Sequence, residues 1–345
     1  MERIAERITI EDLTLPESSP PAPQNSPKQE PVRVRRLGDK IFSLLTTSST
    51  VIISVIIAAI GLFLVWRAIP ALRNNTEGIV GFFTYAGAWN LQNTAQMLFG
   101  IPNLLAATVL VSVIALVIAM PIALGIGIFL SHYARPRAVK PLGFLVDMLA
   151  AVPSIVYGLW GWQVLGPALS GFYEWVNSWG RGFFLLATYS NSPAFATGRN
   201  IFTGGVVLAV MILPIIAATT REVFVQTPRG HIEAALALGA TKWEVVRMTV
   251  LPFGKSGFIS GSMLGLGRAL GETMALYLVI SPSSEFRFSL FDGGTTFATA
   301  IANAAPEFND DLRAGAYIAA GLVLFLLTFA VNSLARSIVN AKAKA

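Results

Sequence analysis

IFTGGVVLAVMILPIIAATT, residues 201–220, carries no charged side chain in twenty positions. A helix of that length rises about 30 Å, the thickness of a bilayer's hydrocarbon core. Lipid offers the backbone no hydrogen-bond partners, so such a run crosses as a helix. Five further runs of the same character surround it, at roughly 48–67, 104–130, 142–166, 256–281 and 315–336. Composition agrees: 54% of residues are hydrophobic, 13% are charged and the mean hydropathy is +0.63, where soluble domains carry about a quarter charged residues. Pro121, Pro153 and Pro214 lie inside three of the runs; membrane helices tolerate proline where neighbours re-satisfy the backbone. The reading is an all-α integral membrane protein with six transmembrane helices.

Lysine and arginine set the topology. Segments 33–47, 131–141, 221–255 and 336–345 hold fifteen of them, and the alternate loops 67–104, 166–200 and 282–314 hold six. Both termini are therefore expected in the cytoplasm. The net charge of +6 is accounted for by this bias, and no nucleic-acid partner is expected. Residues 1–40 read as a disordered cytoplasmic tail, with the Pro/Ser/Gln-rich PESSPPAPQNSPKQEP at 16–31. No cleavable signal is expected. The first transmembrane helix follows at 41–70, and 71–345 forms the main membrane domain. There are no cysteines. His132 and His231 lack partners at ligand spacing, so no metal site is expected.

Outward from the quoted run lies the longest basic loop, 221–255. Thr227-Pro228 fits an N-cap followed by proline at the first helical position. HIEAALAL (231–238) is a helix former, and Gly239 suits a left-handed stop. Thr241 to Glu244 reads as a capping box that opens a second helix, which Pro252 is expected to stop. Two short helices joined by a glycine turn would project from the membrane, a shape suited to a groove on a partner. PFGKS (252–256) is not a P-loop, because Thr249 stands where that motif needs glycine.

Beyond it, GLGRALGETMAL (265–276) places Arg268 and Glu272 inside an apolar run. Four residues apart on a helix means one face, within reach of each other. Arg268 would sit near the bilayer midplane, where a charge is expensive and marks a pathway. A guanidinium fork matches phosphate oxygens, and Glu272 would hold it between transport events. The alternative is a structural ion pair. Gly265, Gly267 and Gly271 would admit a neighbouring helix or serve as plain packing. Asp147 is a second intramembrane charge, which could cap a helix, pair with a basic residue or contribute to a gate. Pro153, Tyr157 and Gly158 are expected to shape their helix.

Glu233-Ala234-Ala235, Gly239 three residues on, and Leu251-Pro252 resemble the signature of ABC-transporter membrane subunits. Thr249 stands in the usual isoleucine slot. VPSIVYGLWG (152–161), GLGRALGETMAL and TFAVNSLAR (328–336) narrow the resemblance to phosphate-importer permeases of the PstC type, across roughly 38–340. The resemblance implies a type I ABC importer permease fold. In it 221–255 is the coupling loop, with Glu233, Ala234, Ala235, Gly239, Leu251 and Pro252 meeting the ATPase, and Arg268 and Glu272 serve phosphate translocation. It implies a PstA-like permease subunit, a PstB-like ATPase dimer and a PstS-like phosphate-binding protein, in the lipid of a bacterial cell membrane. The chain itself would not be an enzyme and would bind no cofactor; ATP and Mg would be used by the partner ATPase. A PstA-like subunit, a permease for another oxyanion and, in a different class, an ion-coupled secondary transporter stay open.

Overall fold

The computed structural model describes residues 37–180, 183–186, 193–283 and 288–343; the N-terminal tail up to residue 36 lies outside the described residues. The chain is helical, in the order α1 (Leu37–Arg73), α2 (Gly78–Thr84), α3 (Pro102–Ile128), α4 (Pro136–Ala151) and α5 (Ser154–Trp160). Then follow α6 (Gly166–Ala168), α7 (Ser170–Gly180), α8 (Pro193–Ala196), α9 (Ile201–Val225), α10 (Arg229–Ala237) and α11 (Lys242–Val245). The remainder is α12 (Leu251–Leu270), α13 (Met274–Val279), α14 (Phe297–Ala304) and α15 (Asp311–Ala343). Residues 1–56 and 57–345 are separate units, the boundary falling within α1.

Among the described residues, four helices are long and apolar enough to cross a membrane: Lys40–Arg73, Pro102–Tyr133, Ile201–Val225 and Asp311–Ala335. These are the first, second, fourth and sixth of the expected runs. The other two are not continuous. The run at 142–166 breaks at Val152-Pro153, and its two halves meet at 88°. Proline disfavours helical backbone in the residue before it, and Val152 is extended at φ −64°, ψ 131°. The run at 256–281 breaks at Gly271–Thr273, between α12 and α13.

The quoted run forms the centre. In α9, 67% of the apolar stretch is buried, against 0% in α1. Asn200 caps its start, accepting the Thr203 N–H at 2.9 Å. Ala107, Val111, Ala115, Ala119 and Ala123 recur every fourth residue along one stripe of α3 and share a core with Val207, Leu208, Met211, Ile212 and Ile216 of α9. Small residues let the backbones approach, which is how membrane helices associate without a hydrophobic driving force. On the other side α12 closes on α9 through Gly265. A Cβ there would lie 2.9 Å from Ile216 Cγ1, whereas Gly267 faces open space. Of the three glycines expected to admit a helix, Gly265 does so. The uncovered apolar flank of α1, including Ile52, Leu62 and Trp66, is what a helix against lipid requires.

A second core closes the end opposite the 226–250 hairpin. It joins Ala68 and Ala71 of α1, Phe82 of α2, Phe99, Phe297 of α14, and Ala316, Ala319 and Ala320 of α15. Arg67 pairs with Asp311 at 2.8 Å, tying α1 to α15 there.

Candidate functional site

Lys255, exposed, is the last charged residue of α12 before Arg268. From Ser256 to Arg268 the helix climbs about 18 Å, well inside a hydrocarbon core of about 30 Å. Arg268 stands in the last turn of α12, where a cation meets the negative end of the helix dipole. The helix then stops at Leu270. Gly271 leaves helical geometry, and Glu272 turns inward, 9% exposed, with Oε1 accepting the Ala275 N–H at 3.1 Å. The expected Arg268–Glu272 ion pair is therefore not formed. The helical register that would align positions four apart ends between them, and Glu272 instead caps the first turn of α13. Among the described residues the ion pair is Arg67–Asp311.

The second break lies against the first. A Cβ on Gly158 would fall 2.9 Å from Ala275 Cα, so α5 runs directly on the start of α13. The Arg268 guanidinium lies within Coulombic reach of the Tyr157 phenol, whose hydroxyl donates to Leu149 O at 2.8 Å. That bond reaches back across Pro153 and satisfies a carbonyl at the end of α4. Pro153, Tyr157 and Gly158 thus shape this corner as expected. Asp147 lies exposed on α4.

Two interrupted helices side by side at membrane depth are an arrangement tolerated where the backbone is buried in protein or lines a cavity. On the single chain, Arg268 and Gly271 are exposed. An arginine facing hydrocarbon at this depth costs between about 3 and 17 kcal/mol. Such a face is covered by another protein surface or lines a water-filled path.

At the opposite pole of α12 the chain forms the expected hairpin. α10 ends at Ala237, and Gly239 takes φ +82°, the left-handed region in which a side chain is strained. The Thr241 N–H and hydroxyl donate to Glu244 Oε2 at 2.7 and 2.8 Å, and the Glu244 N–H donates back to Thr241 Oγ1 at 3.4 Å. The Thr241 N–H, and then its hydroxyl, hold the Glu244 carboxyl below its ordinary range.

Two local expectations fail here. The Thr227 hydroxyl donates to Phe224 O at 2.9 Å, closing α9, and Pro228 occupies the N-cap position of α10. Pro252 does not stop the second helix. A π turn at Val246–Val250 precedes it, with the Leu251 N–H reaching Val246 O, and the helix continues through Pro252. The wider turn absorbs a residue that lacks an N–H and crowds the preceding turn.

Val246 and Val250 pack with Ile128 of α3 and Phe224 of α9, seating the hairpin on the bundle. Of the Glu-Ala-Ala triplet, Ala235 is buried, while Glu233 and Ala234 are exposed. Leu236, Leu238, Trp243 and Met248 are also exposed, Leu238 at 88%. Exposed apolar side chains, with Glu233 and Lys242 also exposed, are of the kind found at partner surfaces.

Residues 123–344 match the family described as binding-protein-dependent transport system inner membrane component. The chain belongs to that family. Among relatives of this permease, the phosphate transport system permease protein PstC 2 of Mycobacterium tuberculosis is 50% identical over 314 residues, covering 90% of this chain and 94% of that one. The PstC protein of Mycobacterium leprae is 51% identical over 278 residues (80% and 85%), and that of Xylella fastidiosa strain Temecula1 38% over 299 residues (86% and 89%). In fold the permease resembles a chain of the MetNI methionine ABC transporter solved in inward-facing conformations. The TM-score is 0.51 at 17% identity, over 70% of this chain and 94% of that one. The permease is thus a PstC-type, multi-pass membrane subunit of a transporter complex with the ABC importer permease fold.

One cation of the site region passed unnoticed in the sequence. Arg199 reads there as one of six basic residues in the sparse loops; its surroundings come from Trp162, which follows α5, and from α13 and α14, remote in the chain.

Proposed function

We propose that this permease forms the anion path of an ATP-driven inorganic phosphate importer. The observation that carries the reading is Arg268. It is an exposed guanidinium at the end of a broken helix, deep in the apolar zone, on a face that a second permease subunit of the PstA kind would complete. A guanidinium fork pairs two N–H groups with two oxygens of a phosphate. With Glu272 committed to capping α13, the fork is left without a competing carboxylate in this state. Glu272 then serves translocation by fixing the first turn of α13 beside the path.

The hairpin points to the cytoplasm in this reading, as do both termini, in a bacterial plasma membrane. Its exposed Leu238 and Trp243, with Glu233, would seat in a PstB-like ATPase dimer. That dimer uses ATP and Mg, and the hairpin passes its closure to α12. A PstS-like protein would deliver phosphate at the opposite face. The names of the PstC relatives favour phosphate over other oxyanions, and family membership favours ATP over ion coupling.

Phosphate uptake by cells carrying Arg268→Gln and, separately, Glu233→Lys tests both halves. Arg268→Gln is expected to assemble and hydrolyse ATP without importing phosphate, and Glu233→Lys to lose ATPase association or coupling. Normal uptake with Arg268→Gln would move the anion path elsewhere and leave Arg268 a structural charge.

A further inference from the structure

At the end opposite the hairpin a cleft of about 330 Å³ opens between the start of α9, α13 and α14. Arg199 lines it, half-buried. Its Nε–H donates to Leu278 O at 3.1 Å, and its guanidinium carbon lies 5.6 Å from the centroid of the Trp162 ring. The hydrogen bond and the cation–π contact fix the group while using one of its five N–H donors. The four Nη hydrogens have no protein acceptor among the described residues. Across the cleft, the Tyr277 hydroxyl donates to Asn303 Oδ1 at 3.3 Å, which leaves the Asn303 amide hydrogens to donate. Thr295 adds a hydroxyl whose bond to Ser283 O is long, at 3.4 Å. Among the described lining residues there is no carboxylate.

A cleft with one fixed guanidinium, amide and hydroxyl donors, an aromatic wall and no carboxylate among its described lining residues is built for a small oxyanion. Pro282, Thr295 and Asn303 also line a second, more open cleft of about 320 Å³, so the two adjoin. The inner wall is α13, which begins at the break beside Arg268.

Resting on the phosphate reading above, we propose that Arg199, Asn303 and Thr295 form an entry subsite for inorganic phosphate. It takes the anion at the outer face and holds it one short helix away from Arg268. Weak binding suits the role, since a path must release what it takes. Half-exposure, with no second cation among the described lining residues, keeps it weak.

The test is phosphate uptake by the assembled transporter in liposomes, at low and saturating loaded binding protein, for Arg199→Gln, Arg199→Lys and Asn303→Ala. Arg199→Gln is expected to lower uptake at least tenfold at low supply and much less at saturation, with assembly and ATP hydrolysis retained. Arg199→Lys, keeping charge without the fork, should fall between. Asn303→Ala should reproduce the low-supply defect in milder form; it leaves the Arg199–Leu278 bond intact and so decides the matter if Arg199→Gln fails to assemble. Wild-type uptake by Asn303→Ala together with either wild-type uptake or failed assembly of Arg199→Gln overturns the subsite. Absence of phosphate import by the wild-type transporter overturns the phosphate reading, and this proposal with it. Liposomes of purely zwitterionic and of anionic phospholipid separate the two sources of phosphate oxygens. A defect that persists in both supports free phosphate, and one confined to anionic lipid assigns Arg199 to a headgroup and overturns the proposal.

Discussion

Glu272 separates charge from geometry at single-residue resolution. Its carboxylate accepts the Ala275 N–H, a task that an amide oxygen performs nearly as well. Glu272→Gln is therefore expected to keep phosphate uptake within about threefold of wild type. Glu272→Ala removes the cap, worth about 1 kcal/mol, and should lower uptake about fivefold or more. Equal loss in both would show that the charge itself is needed. Gly265 and Gly267 give a matched pair of another kind. Gly265→Ala drives a methyl into Ile216 while Gly267→Ala meets nothing. Overpacking costs about 1–3 kcal/mol, so Gly265→Ala should lower the midpoint of thermal aggregation in detergent and Gly267→Ala should leave it unchanged.

Among the elements, the hairpin carries the clearest pH signature. The Glu244 carboxyl sits below its ordinary value of 4.5. A depressed carboxylate stabilises the folded cap at pH values above the unfolded value, and this is lost as pH falls through the folded one. Hydrogen-exchange protection of residues 242–248, corrected for intrinsic rates, should hold from neutral pH to about 5 and fall below the ordinary glutamate range. Glu244→Gln should show lower protection with no such step. This cap was legible in the sequence because its partners are three residues apart, and α1, α3, α9 and α15 were legible because an uninterrupted apolar run has one stable form in lipid. The breaks were not. GLGRALGETMAL reads as one apolar run; the packing of Gly158 on Ala275 at its break is tertiary, and the local bond of Glu272 to the Ala275 N–H competes with the reading of Glu272 as a partner of Arg268. Pro252 misled for the complementary reason: a π turn accommodates a proline, and nothing in composition announces one. Arg268 stood out because a lone charge in an apolar run is visible by contrast. Arg199, in a polar loop, has no such contrast, and its Trp162 and Asn303 neighbours come from remote segments.

For the whole molecule, the exposed surfaces divide by what each must face. The bare flank of α1 suits lipid, the Arg268 face calls for another protein or a water-filled path, and the hairpin tip exposes apolar side chains. Leu238 is 88% exposed, so Leu238→Glu should leave the permease's yield and thermal midpoint unaltered while abolishing co-purification of the ATPase. Retained co-purification would shift the docking surface to the remaining exposed hairpin residues. The continuation of the helix through Pro252 has a mechanical corollary. Lys242 to Leu270 is helical without interruption, a path of about 42 Å along the helix. Pivoted at its hairpin end, it converts a tilt of about 10° into a sweep of about 7 Å at Arg268, by the length that a 1.5 Å rise per residue sets. A break at Pro252 would dissipate that motion; the unbroken helix would carry it as a lever, with the guanidinium close to its far end.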